Sequence, residues 1–138
     1  MFFSAEPQTA GSSPTGDVFR IMVVLDTQAN GGTPTTSQLL DGANYGEFLN
    51  ENNRDRFLVL DERWVHCEAN AYAAGALTAG DPLFKTVSYE VPLFFNTYYS
   101  GTGATIASIQ TNALWFFCIS AYASWKANFN AKVLFYDS

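Results

Sequence analysis

Apolar and polar residues alternate with a period of two along several stretches of the chain. In residues 83–93, for example, Val87, Tyr89 and Val91 are separated by polar neighbours. Successive side chains of a β-strand point to opposite faces, so this pattern predicts a strand with one buried face. The same alternation, rich in β-branched and aromatic residues, predicts further strands at residues 18–26, 57–66, 113–122 and 129–136. Residues 1–7 resemble the second half of a strand, which predicts that one or more strands are partly missing at the start.

Segments rich in Gly, Pro, Asn and Ser separate the predicted strands and predict turns between them. The one convincing helical signal is short and lies near residues 35–41. Thr35 or Thr36 can cap this helix, and Gly42 can end it. Many short strands without a long helix predict an all-β sandwich or barrel, and the lack of repeats or linkers predicts a single domain over residues 1–138.

The composition is apolar and poor in charge. Hydrophobic residues make up 48% of the chain and aromatic residues 16%, against 14% charged. This is too little charge for a typical solvated surface, so part of the apolar surface is expected to be covered by another molecule. The formal net charge of −6 argues against these residues alone holding a polyanion such as nucleic acid. The longest apolar run, at residues 113–123, is about half of a membrane-spanning helix, so no membrane association is expected.

No catalytic or metal-binding constellation emerges from the sequence. His66 and Cys67 are adjacent on a predicted strand, and so are Asp61 and Glu62, so the side chains of each pair point to opposite faces and cannot converge. With one histidine in the chain, we expect neither an enzyme nor a cofactor. Calcium at subunit contacts stays open, because acids near predicted strand ends offer oxygen ligands. These acids are Asp26, Asp41, Glu47, Glu51 and Asp55.

Charged and aromatic residues on the predicted strands offer two kinds of contact. Asp61 and Arg63 share a strand face, which predicts a surface or interface ion pair. Arg54 and Arg56 flank Asp55 in a turn, and in an assembly they could hold a neighbouring chain by paired hydrogen bonds. Exposed rings would suit either a subunit interface, which we favour, or a platform for stacking on sugars or bases. The candidate rings are Trp64, Tyr98, Tyr99, Trp115 and Trp125.

The stretches "FRIMVVLDTQANGGTPTTSQLLD" and "NNRDRFLVLDERW" together resemble the coat proteins of small circular single-stranded DNA viruses and the related satellite tobacco necrosis virus type of capsid protein. In that family an Arg-hydrophobic-Val-Val strand runs into Asp-x-Gln-x-Asn-Gly, a Pro and a short helix, followed by an Arg-Phe-x-Val-Leu strand. The matching positions in this chain are Arg20, Val23, Val24, Asp26, Gln28, Asn30, Gly31, Pro34, Leu40, Asp41, Arg56, Phe57, Val59, Leu60, Asp61 and Trp64.

The resemblance covers the chain from about residue 17 to its end and implies an eight-stranded antiparallel jelly-roll sandwich. It also implies a structural capsid protein that self-assembles into a small icosahedral shell around its genome, in the virion and in the host cell during assembly. Its partners would be identical subunits and packaged nucleic acid; a host receptor is left unknown. The residues expected at subunit interfaces are Asp26, Gln28, Asn30, Pro34, Arg54, Arg56, Asp61 and Arg63.

Nucleic acid is expected to be held mainly by a basic N-terminal arm, which family members carry and these 138 residues lack. Further contacts are expected at Lys85, Lys126 and Lys132. The alternative function is a carbohydrate-binding or receptor-binding jelly roll, in which Trp64, Tyr98, Tyr99 or Trp125 stacks on a sugar ring.

Overall fold

The computed structural model describes residues 1–7, 17–29, 31–67, 85–103, 105–122 and 125–134. These residues form eight strands in antiparallel sheets and one short helix, an all-β fold consistent with a jelly-roll-like sandwich, as the sequence predicts. The strands are β1 (Phe2–Pro7), β2 (Asp17–Asp26), β3 (Phe57–Cys67), β4 (Lys85–Ser88), β5 (Tyr98–Tyr99), β6 (Ile109–Thr111), β7 (Ala113–Ser120) and β8 (Trp125–Asn130). The helix is α1 (Thr36–Leu39), and 3₁₀ turns lie at Glu51–Asn53 and Ile106–Ser108.

The chain divides into two compact units, which are described separately. The first comprises Met1–Val18, His66–Val91 and Tyr122–Ser138, and the second comprises Phe19–Val65 and Pro92–Ala121. Among the described residues, no helix is both long enough and apolar enough to cross a membrane.

The first unit contains a three-stranded sheet with the order β4–β1–β8. Phe3 pairs with Val87 on one side and with Phe129 on the other, and its side chain is fully buried. The amino group of Met1 donates to the carbonyl oxygen of Tyr89 at 2.8 Å, and the backbone N–H of Tyr89 donates to the carbonyl oxygen of Met1 at 3.0 Å. Phe2–Pro7 therefore form the central strand of this sheet, with Phe3 buried between its two neighbours.

Two predicted strands in this unit end earlier than expected. The pattern predicts a strand at 129–136, but β8 ends at Asn130, which lies opposite Phe2 at the start of β1. Residues 131–134 extend beyond β1 and have no strand assignment, while 135 and 136 lie outside the described residues. Likewise, β4 ends at Ser88, also opposite Phe2. Alternating apolarity marks which face is buried, but a strand forms only where a neighbour supplies hydrogen bonds.

The second unit is built around β2, the central strand of the sheet β3–β2–β7. Nearly every residue of β2 is buried on both faces, which explains its continuous apolar run. Met22 lies opposite Phe117 in β7, and Val24 lies opposite Trp115. The core on one face of this sheet consists of Met22, Val24, Leu39, Leu40 and Phe57, with Val59, Phe117 and Ile119 packed against it.

The short helix α1 and its C-cap residue place Leu39 and Leu40 on this core. Thr35 is its N-cap, and the Thr35 backbone N–H donates to the Gln38 side-chain oxygen at 2.9 Å, which satisfies one donor ahead of the first turn. Leu39 and Leu40 are buried, and burial of each contributes about 1.5–3 kcal/mol. Leu40 is already extended and forms a bridge with Leu49. The predicted helix near residues 35–41 is confirmed and ends before Gly42.

A smaller pairing in the second unit joins β5 to β6. Tyr98 lies opposite Thr111, and the register shifts at Tyr99, as in a β-bulge. Asn112 has a φ of 60°, and its side-chain amide donates to the carbonyl oxygen of Asn96 at 2.7 Å. The Thr97 hydroxyl donates to the carbonyl oxygen of Asn112 at 2.9 Å. These contacts fix the chain before β5 against the turn between β6 and β7.

Candidate subunit interface

Residues 27–56, called here the 27–56 segment, leave the sheet at the end of β2 and return to it at the start of β3. The two ends meet directly: the Thr27 backbone N–H donates to the Arg56 carbonyl oxygen at 2.9 Å, and the Thr27 hydroxyl donates to the same oxygen at 3.0 Å. A loop closed in this way and anchored by Leu39 and Leu40 is a compact surface element. Apart from Asn30, which lies outside the described residues, the segment is therefore an ordered part of the surface.

A bidentate ion pair locks the closure of the segment. Arg56 Nε donates to Asp26 Oδ1 and Arg56 Nη2 donates to Asp26 Oδ2, both at 2.8 Å. The Asp26 side chain is fully buried and that of Arg56 is 19% exposed. The hydrogen bond with Asp26 raises the pKa of Arg56 above its ordinary value, so the guanidinium stays charged. Asp26 Oδ1 also accepts from the Gln28 backbone N–H at 3.0 Å.

A second buried arginine, Arg20, holds the far side of the segment. Its Nε donates to Glu62 Oε1 at 2.7 Å, while its Nη1 donates to the carbonyl oxygens of Tyr45, at 3.0 Å, and Glu47. The guanidinium carbon lies 5.0 Å from the centre of the Trp64 ring, a cation–π distance. Arg20 is only 5% exposed. Removing the partners of a buried arginine is costly, because its charge is then left in the interior without compensation.

The Arg20 cluster is the main feature that sequence reasoning missed. The sequence gives one indication of this cluster: Arg20 lies inside an apolar strand, where a charged side chain requires a buried partner. Phe57 and Val59 in β3 pack on the Met22 face, whereas Glu62 and Trp64 contact Arg20. Glu62 and Trp64 are exposed positions of β3, and nothing in the sequence marks them as the partners of the buried arginine.

The residues predicted at subunit interfaces fall into three groups. Asp26 with Arg56, and Asp61 with Arg63 at 3.1 Å, form pairs within the chain, the second as the shared strand face predicts. Gln28 and Arg54 are exposed, and Pro34 is buried. Asn30 lies outside the described residues. Arg54 makes exposed contacts with Glu51 at 3.4 Å and Asp55 at 3.9 Å, which leaves its guanidinium accessible to another molecule. Their place at an interface stays a prediction.

The three lysines predicted to contact nucleic acid are exposed and lie in the first unit. Lys85 lies opposite Ala5, and Lys126 lies opposite Glu6. Since Ala5 and Glu6 are consecutive on β1, Lys85 and Lys126 fall on opposite faces of the sheet. Lys132 follows β8. The sheet therefore does not gather Lys85 and Lys126 into one basic face.

His66 and Cys67 occupy opposite faces of β3, as the sequence predicts, because His66 is exposed and Cys67 is buried. Burial raises the pKa of the Cys67 thiol, the negative charge of Asp17 raises it further, and Lys85 lowers it. The thiol is therefore a poor nucleophile near neutral pH. Within the described ranges, no three His, Cys, Asp or Glu side chains are grouped to hold a metal ion. Calcium between subunits stays a prediction.

Several large apolar side chains of the second unit are exposed. Phe94 is 93% exposed and Phe48 is 83% exposed, so these two rings lie almost entirely in solvent. Of the predicted aromatic candidates, Trp64 is 45% exposed, Tyr98 57% and Tyr99 60%. The edge of Tyr45 packs on Trp64 with ring centres 5.9 Å apart. These exposed rings are candidates for contact with another molecule.

Gly31 is the glycine of the 27–56 segment whose backbone requires the absence of a side chain. Its φ is +70°, and an added Cβ would lie 3.1 Å from the Ala107 Cα. We therefore expect Gly31→Ala to lower the free energy of unfolding by about 1–2 kcal/mol, measured by urea denaturation. Gly32→Ala is the matched control, because its Cβ would meet no atom within 4 Å. Equal effects of the two substitutions would contradict this role for Gly31.

The surface of the second unit thus combines an ordered segment, held by two ion pairs, with exposed aromatic side chains. Neither a scan against protein-family models nor a search of curated protein sequences finds a match for this chain.

Proposed function

We propose that this protein is a viral capsid subunit whose activity is self-assembly into a closed shell around a nucleic-acid genome. The observation that carries the proposal is the set of exposed large apolar side chains. A monomer in water rarely displays so many, whereas a shell subunit covers them with its neighbours. In the second unit they are Phe48, Leu49, Leu58, Trp64, Phe94, Tyr98 and Tyr99.

The 27–56 segment supports the same proposal. The ion pairs Arg20–Glu62 and Asp26–Arg56, which hold the segment, form within the chain, so the segment can present Phe48 and Arg54 to a neighbour without first reorganising. A preorganised surface loses less conformational freedom on binding than a flexible loop does. In this proposal the predicted interface residues have two roles. Asp26 and Arg56 hold the segment in shape, while Gln28 and Arg54 are accessible for contact.

Packaging of nucleic acid requires positive charge. The net charge is −6, and Lys85 and Lys126 lie on opposite faces of their sheet. In the proposal these lysines and Lys132 make secondary contacts, and the resemblance assigns the main contact to a basic arm. Binding of nucleic acid is therefore expected to weaken as the salt concentration rises, because counterion release governs binding to polyanions.

Electron microscopy and analytical ultracentrifugation of the purified protein test the proposal directly. Closed particles of uniform size, tens of nanometres wide, are expected at low micromolar concentration. A protein that stays monomeric over a hundredfold range of concentration and from low to high salt would refute the shell.

The second candidate is a carbohydrate-binding module, which the exposure of Trp64 beside Arg20 favours, because indole rings next to polar groups stack on sugar rings. This function predicts retention on immobilised glycans by the monomer and loss of retention in Trp64→Ala. Trp64→Phe, which keeps an aromatic face over Arg20, is the conservative variant that separates lost stacking from lost folding. If the protein forms shells and is not retained on any glycan column, this candidate is excluded.

A further inference from the structure

The second half of the second unit carries no charged side chain. Between Glu90 and Lys126 the sequence contains no Asp, Glu, Lys, Arg or His. The first half of the unit, Phe19–Val65, contains the ion pairs of Arg20, Arg54, Arg56 and Arg63. The charges of this unit are therefore confined to one half of its sequence, and the other half presents neutral surface only.

An exposed row of side chains runs along this uncharged half. Exposure alternates from Pro92 to Tyr98, with Phe94, Asn96 and Tyr98 exposed and the residues between them partly buried. The alternating exposure indicates that these three side chains lie on the same side of the chain, which has no strand assignment from Pro92 to Thr97. The bulge at Tyr99 turns that ring outward as well. Phe94, Asn96, Tyr98 and Tyr99 are called here the aromatic stripe.

The backbone under the aromatic stripe is anchored. The side chain of Asn112 binds the carbonyl oxygen of Asn96, and Thr97 binds the carbonyl oxygen of Asn112. Tyr98 is paired with Thr111. Rigid aromatic side chains on a fixed backbone lose little freedom on binding, and Tyr is among the residues that most often dominate binding energy.

We propose that the aromatic stripe packs against the same stripe of a second copy of this chain, around a two-fold axis. The inference rests on the proposed function, since it names one contact by which copies associate. It goes further by assigning the residues, the symmetry and the partner surface. In such an isologous contact each residue of one copy meets the stripe of the other, so the surface must be self-complementary.

The charge distribution favours a second copy as the occupant. Two copies each carry a net charge of −6, so contacts that bring their acidic surfaces together are repulsive. The uncharged half is the part of the second unit where copies can meet without placing like charges together. Nucleic acid would find no cation between Glu90 and Lys126, and a charged protein partner would gain no ion pair there.

The area of the stripe fits one contact among several. Phe94 at 93%, Tyr98 at 57% and Tyr99 at 60% exposure amount to about two full aromatic side chains per copy. At about 200 Å² each, two copies bury about 800 Å² through these rings. That is below the standard size of a stable complex, so the contact is weak by itself and gains strength when other contacts close an assembly.

Charge complementation tests the proposal. Tyr98→Glu and Tyr98→Lys each place like charges face to face across the two-fold axis, so the dissociation constant of the self-contact should rise by about a hundredfold in either variant. An equimolar mixture of the two variants places opposite charges together and should restore association. Sedimentation velocity measures association of each variant and of the mixture, and circular dichroism verifies that both fold. Phe94→Glu mixed with Phe94→Lys repeats the test at a second, almost fully exposed position.

Leu134→Glu and Leu134→Lys are the matched controls, because Leu134 is 75% exposed, apolar and in the first unit. These variants should associate like the wild type, and mixing them should change nothing. Wild-type association by the Tyr98 variants, or failure of their mixture to recover, would overturn the stripe contact. Shells formed by Tyr98→Glu would refute the stripe and leave the capsid proposal intact, whereas two-fold dimers that complement but never close would refute the shell and leave the stripe.

Discussion

Replacement of Arg20 by alanine is expected to lower the free energy of unfolding by about 3–4 kcal/mol. The substitution strips Glu62 of its partner and leaves the carbonyl oxygens of Tyr45 and Glu47 without their donor. Removing one member of a buried ion pair typically costs about 3–5 kcal/mol, and the lower end applies because the Glu62 side chain is 31% exposed. Urea denaturation followed by far-ultraviolet circular dichroism measures the change. Since domains are stable by only about 5–15 kcal/mol, the variant should be near the limit of folding.

Two further arginine substitutions serve as controls for Arg20→Ala. Arg54→Ala removes a guanidinium that is 72% exposed and should change stability by less than about 0.5 kcal/mol. Arg20→Met keeps most of the side-chain volume, so it separates lost packing from lost polar contacts and should be less harmful than alanine. Equal stability of Arg20→Ala and Arg54→Ala would contradict the assignment of Arg20 as the anchor of the 27–56 segment.

The sequence predicts the strands well where burial alone decides them. The pattern correctly predicts β2 from its continuous apolar run and β3 from the alternation before His66 and Cys67. Thr35 similarly marks the start of α1. Such features are local, because each depends on a few neighbouring residues and on the period of the backbone.

Strand ends and side-chain partners depend on residues far along the chain. The end of β8 at Asn130 is set by Phe2, and the partners of Arg20 lie as far away as Glu62. A single sequence shows that Arg20 is an unusual residue in an apolar strand without indicating which carboxylate meets it. The exposed apolar surface is predictable in total from composition, whereas its concentration at Phe94 and Phe48 is known only from the fold.

The resemblance and the structure give Asp26 and Arg56 two different roles. The resemblance assigns both residues to a subunit interface, and the structure joins them in one bidentate pair. The two roles are compatible, since a pair that shapes the 27–56 segment also shapes any interface made by that segment. A variant of Arg56 that fails to assemble would therefore report on folding of the segment as much as on contact with a neighbour.

Arg56→Ala is accordingly expected to destabilise the isolated subunit by about 2–4 kcal/mol. The substitution leaves the Asp26 carboxylate fully buried with the Gln28 backbone N–H as a remaining donor. An unpaired buried charge carries a large desolvation cost, which the 19% exposure of Arg56 reduces by admitting some water. Urea denaturation below the concentration for assembly measures this effect without contribution from neighbouring subunits.

A double-mutant cycle with Asp26→Asn then isolates the pair itself. Asparagine keeps the shape of Asp26 but removes its charge, so a subunit that carries Asp26→Asn should tolerate Arg56→Ala far better than the wild type does. We expect a coupling energy of about 1–3 kcal/mol, the range for residues in direct contact. Arg56→Lys should lie between the wild type and alanine, because lysine retains the charge but cannot donate in the two-pronged geometry that Arg56 uses. Additive effects of Asp26→Asn and Arg56→Ala would mean that the ion pair does not hold the segment, and the ordered closure would then rest on Thr27 and the two leucines alone.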